Sequence, residues 1–152
     1  MTAINLEYLE HPDVVALDKD GNIILIIEVQ GFPFDSNPKK TQEYSILRII
    51  DYLKASPQLI PLAMFVDLEN ILIFHWDGFN LLEIIRLKTG DILSHYEPEF
   101  NNKQIFNLYL TNLVKAWIND FCYHWKSEKP PAFQEIKEIN LLPLLEGGIT
   151  QP

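Results

Sequence analysis

Asp13, Glu28 and Gln30 are the residues whose types and spacing most directly suggest chemistry. Asp13 opens an apolar run, Val14–Leu17, and Glu28 interrupts a second one, Ile23–Val29, with Lys19-Asp20-Gly21-Asn22 between them. Two β-branched runs around Asp-Gly predict a hairpin. With Asp20-Gly21 at the centre of a type I′ turn, facing residues carry numbers that sum to 41. Leu17 then faces Ile24, Val15 faces Ile26, and Asp13 faces Glu28. Facing side chains share one side of the sheet, with Cβ atoms about 4.5–5.5 Å apart. Gln30 points to the same side, two residues on. The hairpin thus gathers two carboxylates and an amide at its open end. A three-residue turn with a bulge at Gly21 would shift the pairing by one and leave the two acids diagonal.

Two opposed carboxylates at the mouth of an apolar hairpin repel, and a divalent cation relieves that repulsion. Mg²⁺ takes one or two protein carboxylates and leaves its other positions to water and phosphate oxygens; Mn²⁺ suits the same oxygen ligands. The alternative is two acids solvated at a strand end. Pro-Asp is a common way to enter a strand, so this reading suits Asp13 well. It suits Glu28 less, because a charge within an apolar strand calls for a partner or a function.

The elements that must position these residues can be read along the chain. Neither hairpin strand alternates polar with apolar residues, which predicts cover on both faces and a central place in the sheet. Ile4–Glu10 is compatible with a short helix, and Gly31–Pro38 reads as a loop. Asn37-Pro38 is an N-cap followed by proline at the first helical position. The helix from Pro38 to Ala55 carries Ile46, Ile49, Ile50 and Leu53 as a core-facing stripe, and Ser56-Pro57 ends it. Leu62–Val66, Ile71–Trp76 and Leu81–Leu87 read as three strands. A longer helix from Asn102 to Lys126 carries Phe106, Leu110, Leu113, Trp117 and Phe121 on one face, widened by Ile105, Tyr109 and Ile118. Residues 1–131 make one domain, and 132–152 a peripheral tail that Ile136, Ile139, Leu142 and Leu145 dock while Gly147-Gly148 frees its end.

Composition bounds the function. A chain of 152 residues, 47% hydrophobic and 22% charged, suits a single globular domain. Its one cysteine, Cys122, permits no internal disulfide and fits the reducing cytoplasm. The first residues lack the basic and apolar parts of a signal peptide, and no window spans a membrane. The net charge of −9, from 12 basic against 21 acidic residues, argues against avid non-specific binding of a polyanion. It leaves room for a catalytic domain that holds its substrate briefly or through a partner.

Pro12-Asp13, a hairpin, Glu28-Val29-Gln30, a helix and another strand together resemble the PD-(D/E)xK superfamily of restriction-endonuclease-like nucleases. The resemblance covers Glu10 to Val66 and implies an α/β fold with a mixed central sheet flanked by helices. It also implies a Mg²⁺ site of Asp13, Glu28 and the Val29 carbonyl, with Gln30 beside the attacking water. The implied activity is hydrolysis of a DNA phosphodiester by a metal-activated water. Gln30 replaces the family's lysine; an amide can orient water or phosphate but carries neither charge nor a proton to exchange. A lysine can return from the next helix, at Lys39 or Lys40, although both also read as solvated. The family's helix and strand ahead of Pro-Asp do not fit within ten residues. These departures suit an inactive nuclease-fold protein that serves as an interaction or regulatory subunit.

The remaining candidates carry less. His11, His75, His95 and His124 show no metal spacing with one another or with Cys122. No phosphate-cradling glycine loop is present. Gln42 and Tyr44 either face a bound strand or are ordinary helix-surface polarity. Cys122 reads as core, and Trp117 and Trp125 as packing or a dimer surface. The absent family strand and the aromatic helix leave room for a symmetric homodimer.

Overall fold

The apolar runs flanking Lys19–Asn22 pair as antiparallel strands, β1 (Val14–Leu17) and β2 (Ile23–Gln30). The pairs Val14↔Ile27, Val15↔Ile26 and Ala16↔Leu25 follow the expected register. The turn is longer than two residues. The Asp18 N–H donates to the Asn22 carbonyl at 2.9 Å, and the Asp18 carboxylate accepts from the N–H groups of Asp20 and Asn22. Gly21 supplies the positive φ of +85° that this turn requires. A register slip next to the turn, which sets Leu17 against Ile23 instead of Ile24, absorbs the extra length. The open end, where Asp13 and Glu28 lie, keeps the register expected from the sequence.

The computed structural model describes residues 11–32 and 37–152, so the stretch Ile4–Glu10 and part of the Gly31–Pro38 loop lie outside the described residues. The chain is a mixed α/β fold around a six-stranded sheet of order β5-β4-β3-β2-β1-β6. Helix α1 (Pro38–Ala55) carries the chain back so that β3 (Leu62–Asp67) runs parallel to β2. Strands β4 (Asn70–Trp76) and β5 (Leu81–Lys88) then add antiparallel. Asn37 caps α1 by accepting from the Lys40 N–H at 3.2 Å, with Pro38 at the first helical position. Ile49 and Leu53 bury its apolar stripe against Val15, Ile26, Phe65, Leu72 and Phe74. The opposite face of the sheet, with Leu25, Ile27, Met64 and Ile73, packs on α3 (Asn107–Tyr123) through Leu110, Trp117 and Phe121. Two cores, one on each face, explain why these strands do not alternate.

The second long helix differs from expectation in its extent and its buried face, whereas Trp117 and Cys122 pack in the core as expected. The second long helix begins at Asn107, not Asn102, and ends at Tyr123, where His124 caps it in the left-handed region. Phe106 and Tyr109 are exposed, outside the apolar face expected to hold them. A short helix α2 (Thr89–Leu93) and a 3₁₀ turn at residues 100–102 occupy the approach to α3. Trp117 is fully buried and its indole donates to the Pro131 carbonyl, so it is a packing residue. Cys122 is buried in the core, and burial, then the nearby Glu146, pushes its thiol pKa up to about 11. That environment suits core packing and not a nucleophile.

Residues 132–152 dock as expected through Ile136 and Leu145, which α4 (Phe133–Glu138) and α5 (Leu142–Leu145) bury completely, but their end is not free. Strand β6 (Ile149–Gln151) then pairs with β1, with Ala16 facing Thr150. Gly148 makes this pairing possible, because a β-carbon there would collide with the Leu17 carbonyl oxygen. Gly148→Ala is therefore expected to destabilise the protein by about 1–3 kcal/mol, the usual cost of forcing atoms into a closed contact. A urea midpoint equal to the parent's would show that β6 does not pair this closely.

Candidate functional site

The candidate site is built at the end of β2, where its side chains alternate between the two cores. Leu25, Ile27 and Val29 face the α3 side, and Ile26 faces α1. Glu28 follows Ile26 onto the α1 side and is 5% exposed. Asp13, half-buried, stands at the last step of the hairpin before Pro12. Its Oδ2 accepts from the Val29 N–H at 2.7 Å, so the carboxylate takes the donor next in the ladder after Val14↔Ile27. Asp13 is thereby fixed beside the Glu28-Val29 peptide.

Glu28 has a partner that the sequence reading missed. Nη2 of Arg48, on the third turn of α1, lies 3.3 Å from its Oε2 and 3.5 Å from its Oε1. Ionised partners usually sit about 2.7–2.9 Å apart, so this contact is longer than usual. A signal was available. Glu28 needed a cation, and among the basic residues of α1, Lys39 and Lys40 start the helix and Lys54 ends it. Only Arg48 flanks the buried residues Ser45 and Ile49. Lys39 and Lys40, the expected sources of a returning cation, are exposed.

Gln30 is half-buried and faces Asp67 in the parallel pair β2–β3. The Asp67 carboxylate is already used: its Oδ1 accepts from the N–H groups of Glu69 and Asn70 at 2.8 and 2.7 Å, closing the β3–β4 turn. Beyond Gln30 the chain is pinned to the start of α3. The Gly31 N–H donates to Asn107 Oδ1 at 2.8 Å, and the Phe32 N–H to the Ile105 carbonyl at 2.8 Å. A β-carbon at Gly31 would lie 2.7 Å from Asn107 Cα, so glycine is required by close approach. The ring of Phe32 meets Phe106 edge-on, with centroids 5.5 Å apart. This anchoring holds the last residues of β2 in place.

Among the described residues, no group of three or more His, Cys, Asp or Glu side chains is placed to hold a metal ion. The acidic side chains at this end of β2 are Asp13, which accepts from the Val29 N–H, and the buried Glu28. A polar cleft of about 440 Å³ opens elsewhere, between Glu69, Lys88, Asp91 and Asn101, and none of Asp13, Glu28, Gln30 or Arg48 lines it. No helix among the described residues is long and apolar enough to cross a membrane. No protein-family model, curated protein or solved structure matches the chain.

Proposed function

We propose that this chain is a Mg²⁺-dependent, nuclease-like protein of the PD-(D/E)xK type that hydrolyses DNA phosphodiester bonds in the cytoplasm. The observation that carries the reading is the bond from Asp13 to the Val29 N–H, which sets one carboxylate beside the peptide that bears the other. Two carboxylates and a carbonyl suit an ion that keeps most of its water. Asp13 and Glu28 would bind it, with the Val29 carbonyl completing the protein's share, and Mn²⁺ would be accepted in its place. The ion would supply a water of lowered pKa and neutralise charge on the phosphate. Gln30 would orient that water or a phosphate oxygen through its amide. Arg48, released from Glu28, would offer a guanidinium to phosphate where the motif has its lysine.

A second reading is favoured by one observation, the Glu28–Arg48 pair. A carboxylate already neutralised by arginine needs no metal, and together with Gln30 this suits an inactive nuclease-fold subunit that works through a protein partner. Calorimetric titration of Mg²⁺ and Mn²⁺ separates the two. The first reading expects binding in the parent that disappears in Glu28→Ala, and metal-dependent cleavage of DNA that falls to background in Asp13→Ala and Glu28→Ala. A parent protein that binds neither ion, with or without DNA present, would establish the second.

A further inference from the structure

We propose that two copies of this chain join through their β5 strands into an antiparallel two-fold dimer, with Glu83 of each copy against the partner's Arg86. Strand β5 is the end of the sheet, and no described strand pairs with its outer edge. It is long for an edge, eight residues, and carries exposed apolar side chains: Leu82 is 64% exposed and Ile84 36%. Such an edge is an open template for another strand.

The pattern of Leu81-Leu82-Glu83-Ile84-Ile85-Arg86-Leu87-Lys88 specifies which strand fits. A register slip against β4 sets Phe74 against Glu83 and Ile73 against Ile85, leaving Ile84 as the extra residue. Phe74 and Leu72, which face Glu83 and Arg86, both belong to the core under α1. The bulge therefore turns Glu83 and Arg86 to the same side, where they form an ion pair of 2.9 Å within the strand. Ile85 and Leu87 pack on the opposite core, and Leu82, facing His75 between Phe74 and Trp76, shares their side.

A two-fold axis perpendicular to the sheet keeps each side on its own side. With the axis between Ile84 and Ile85, Glu83 meets the partner's Arg86, Leu82 the partner's Leu87, and Ile84 the partner's Ile85. Charges oppose opposite charges on the α1 side, and apolar residues meet apolar residues on the other. A slip of two residues either way sets Ile85 against the partner's Arg86 or Glu83 against the partner's Ile84. Each copy exchanges its internal ion pair for one across the interface, and symmetry doubles every contact.

Light scattering and sedimentation of the full chain over a concentration series test this, with Glu83→Arg, Arg86→Glu and the double exchange. The parent should dimerise, and each single reversal, by setting like charges together twice, should raise the dissociation constant about tenfold or more. The double exchange should restore the dimer. All four proteins should keep the parent's circular dichroism, because both side chains are exposed. A monomeric parent would overturn the proposal, and so would single variants that dimerise as well as the parent or a double exchange that fails to rescue.

Discussion

Arg48→Ala is expected to lower stability by about 2–3 kcal/mol and, if Glu28 binds Mg²⁺ as proposed, to tighten that binding by about tenfold. Removing one partner of a buried ion pair costs about 3–5 kcal/mol where the other charge is left buried with nothing else to compensate it. The Glu28 side chain is 7% exposed but that of Arg48 is 32%, so water can enter where the guanidinium was and reduce the cost. Glu28→Gln should cost less, about 1 kcal/mol, since it leaves no buried charge and Arg48 can turn toward solvent. The opposite sign for the metal follows from competition. Arg48 and a divalent ion would draw on the same carboxylate oxygens, and deleting the nearer cation removes a repulsion worth more than the roughly 1.4 kcal/mol of a tenfold change. Urea unfolding and calorimetry on the same variant decide the matter. Lost stability with no gain in metal affinity would make the pair structural and favour the inactive subunit. Stability equal to the parent's would show that Arg48 does not hold Glu28.

The asymmetry between what the sequence disclosed and what it withheld has a physical pattern. The hairpin, the capped helix α1 and strands β3 to β5 were legible because local rules dictate them. Asp-Gly closes a turn, Asn37-Pro38 starts a helix, and Ile46, Ile49, Ile50 and Leu53 recur at helical spacing. The approach of Asp13 to the Glu28-Val29 peptide follows from that register. Arg48 stands out locally only as the mid-helix cation of α1; that it reaches Glu28 depends on where α1 crosses the sheet, which no local pattern fixes. Strand β6 was missed for the same reason. Three residues carry no periodicity, and Gly147-Gly148 reads as a frayed end unless the nearness of Leu17 is known. The start of the second long helix was misplaced because Phe106 continues the apolar spacing, while in the fold Lys103 pairs with Glu97 and the chain stays irregular until Asn107. What the sequence withheld lies in contacts between residues far apart along the chain.

Asp120 is such a contact, and Asp120→Ala is expected to cost about 3–5 kcal/mol at neutral pH. The residue sits in the last turn of α3 with no exposed surface. Its Oδ2 accepts from the Tyr96 hydroxyl at 2.7 Å, and its Oδ1 from the N–H groups of Lys126 and Ser127 at 3.0 and 2.9 Å. Alanine would strand three donors, each costing about 1–3 kcal/mol where water cannot reach it. Asp120→Asn should be milder, about 1–2 kcal/mol, because its amide oxygen can keep the two N–H groups and the Tyr96 hydroxyl can turn to accept. The comparison with asparagine also carries a pH signature. Burial alone would raise the Asp120 pKa, but the bonds from Tyr96, Lys126 and Ser127 outweigh it and hold the carboxyl below its ordinary 3.8. Tyr96 is shifted upward, by burial first and then by Asp120, and stays a donor throughout. A depressed folded pKa contributes stability that is fully present above the unfolded value near 3.8 and is lost as the pH falls through the lower folded value. Asp120 also helps raise the pKa of His124, so the parent's advantage over Asp120→Asn should shift slightly as His124 titrates and then shrink below about pH 5. Urea midpoints of both proteins at neutral and acid pH measure this directly. An advantage that persists unchanged into acid would mean that Asp120 acts by its shape and not by its charge.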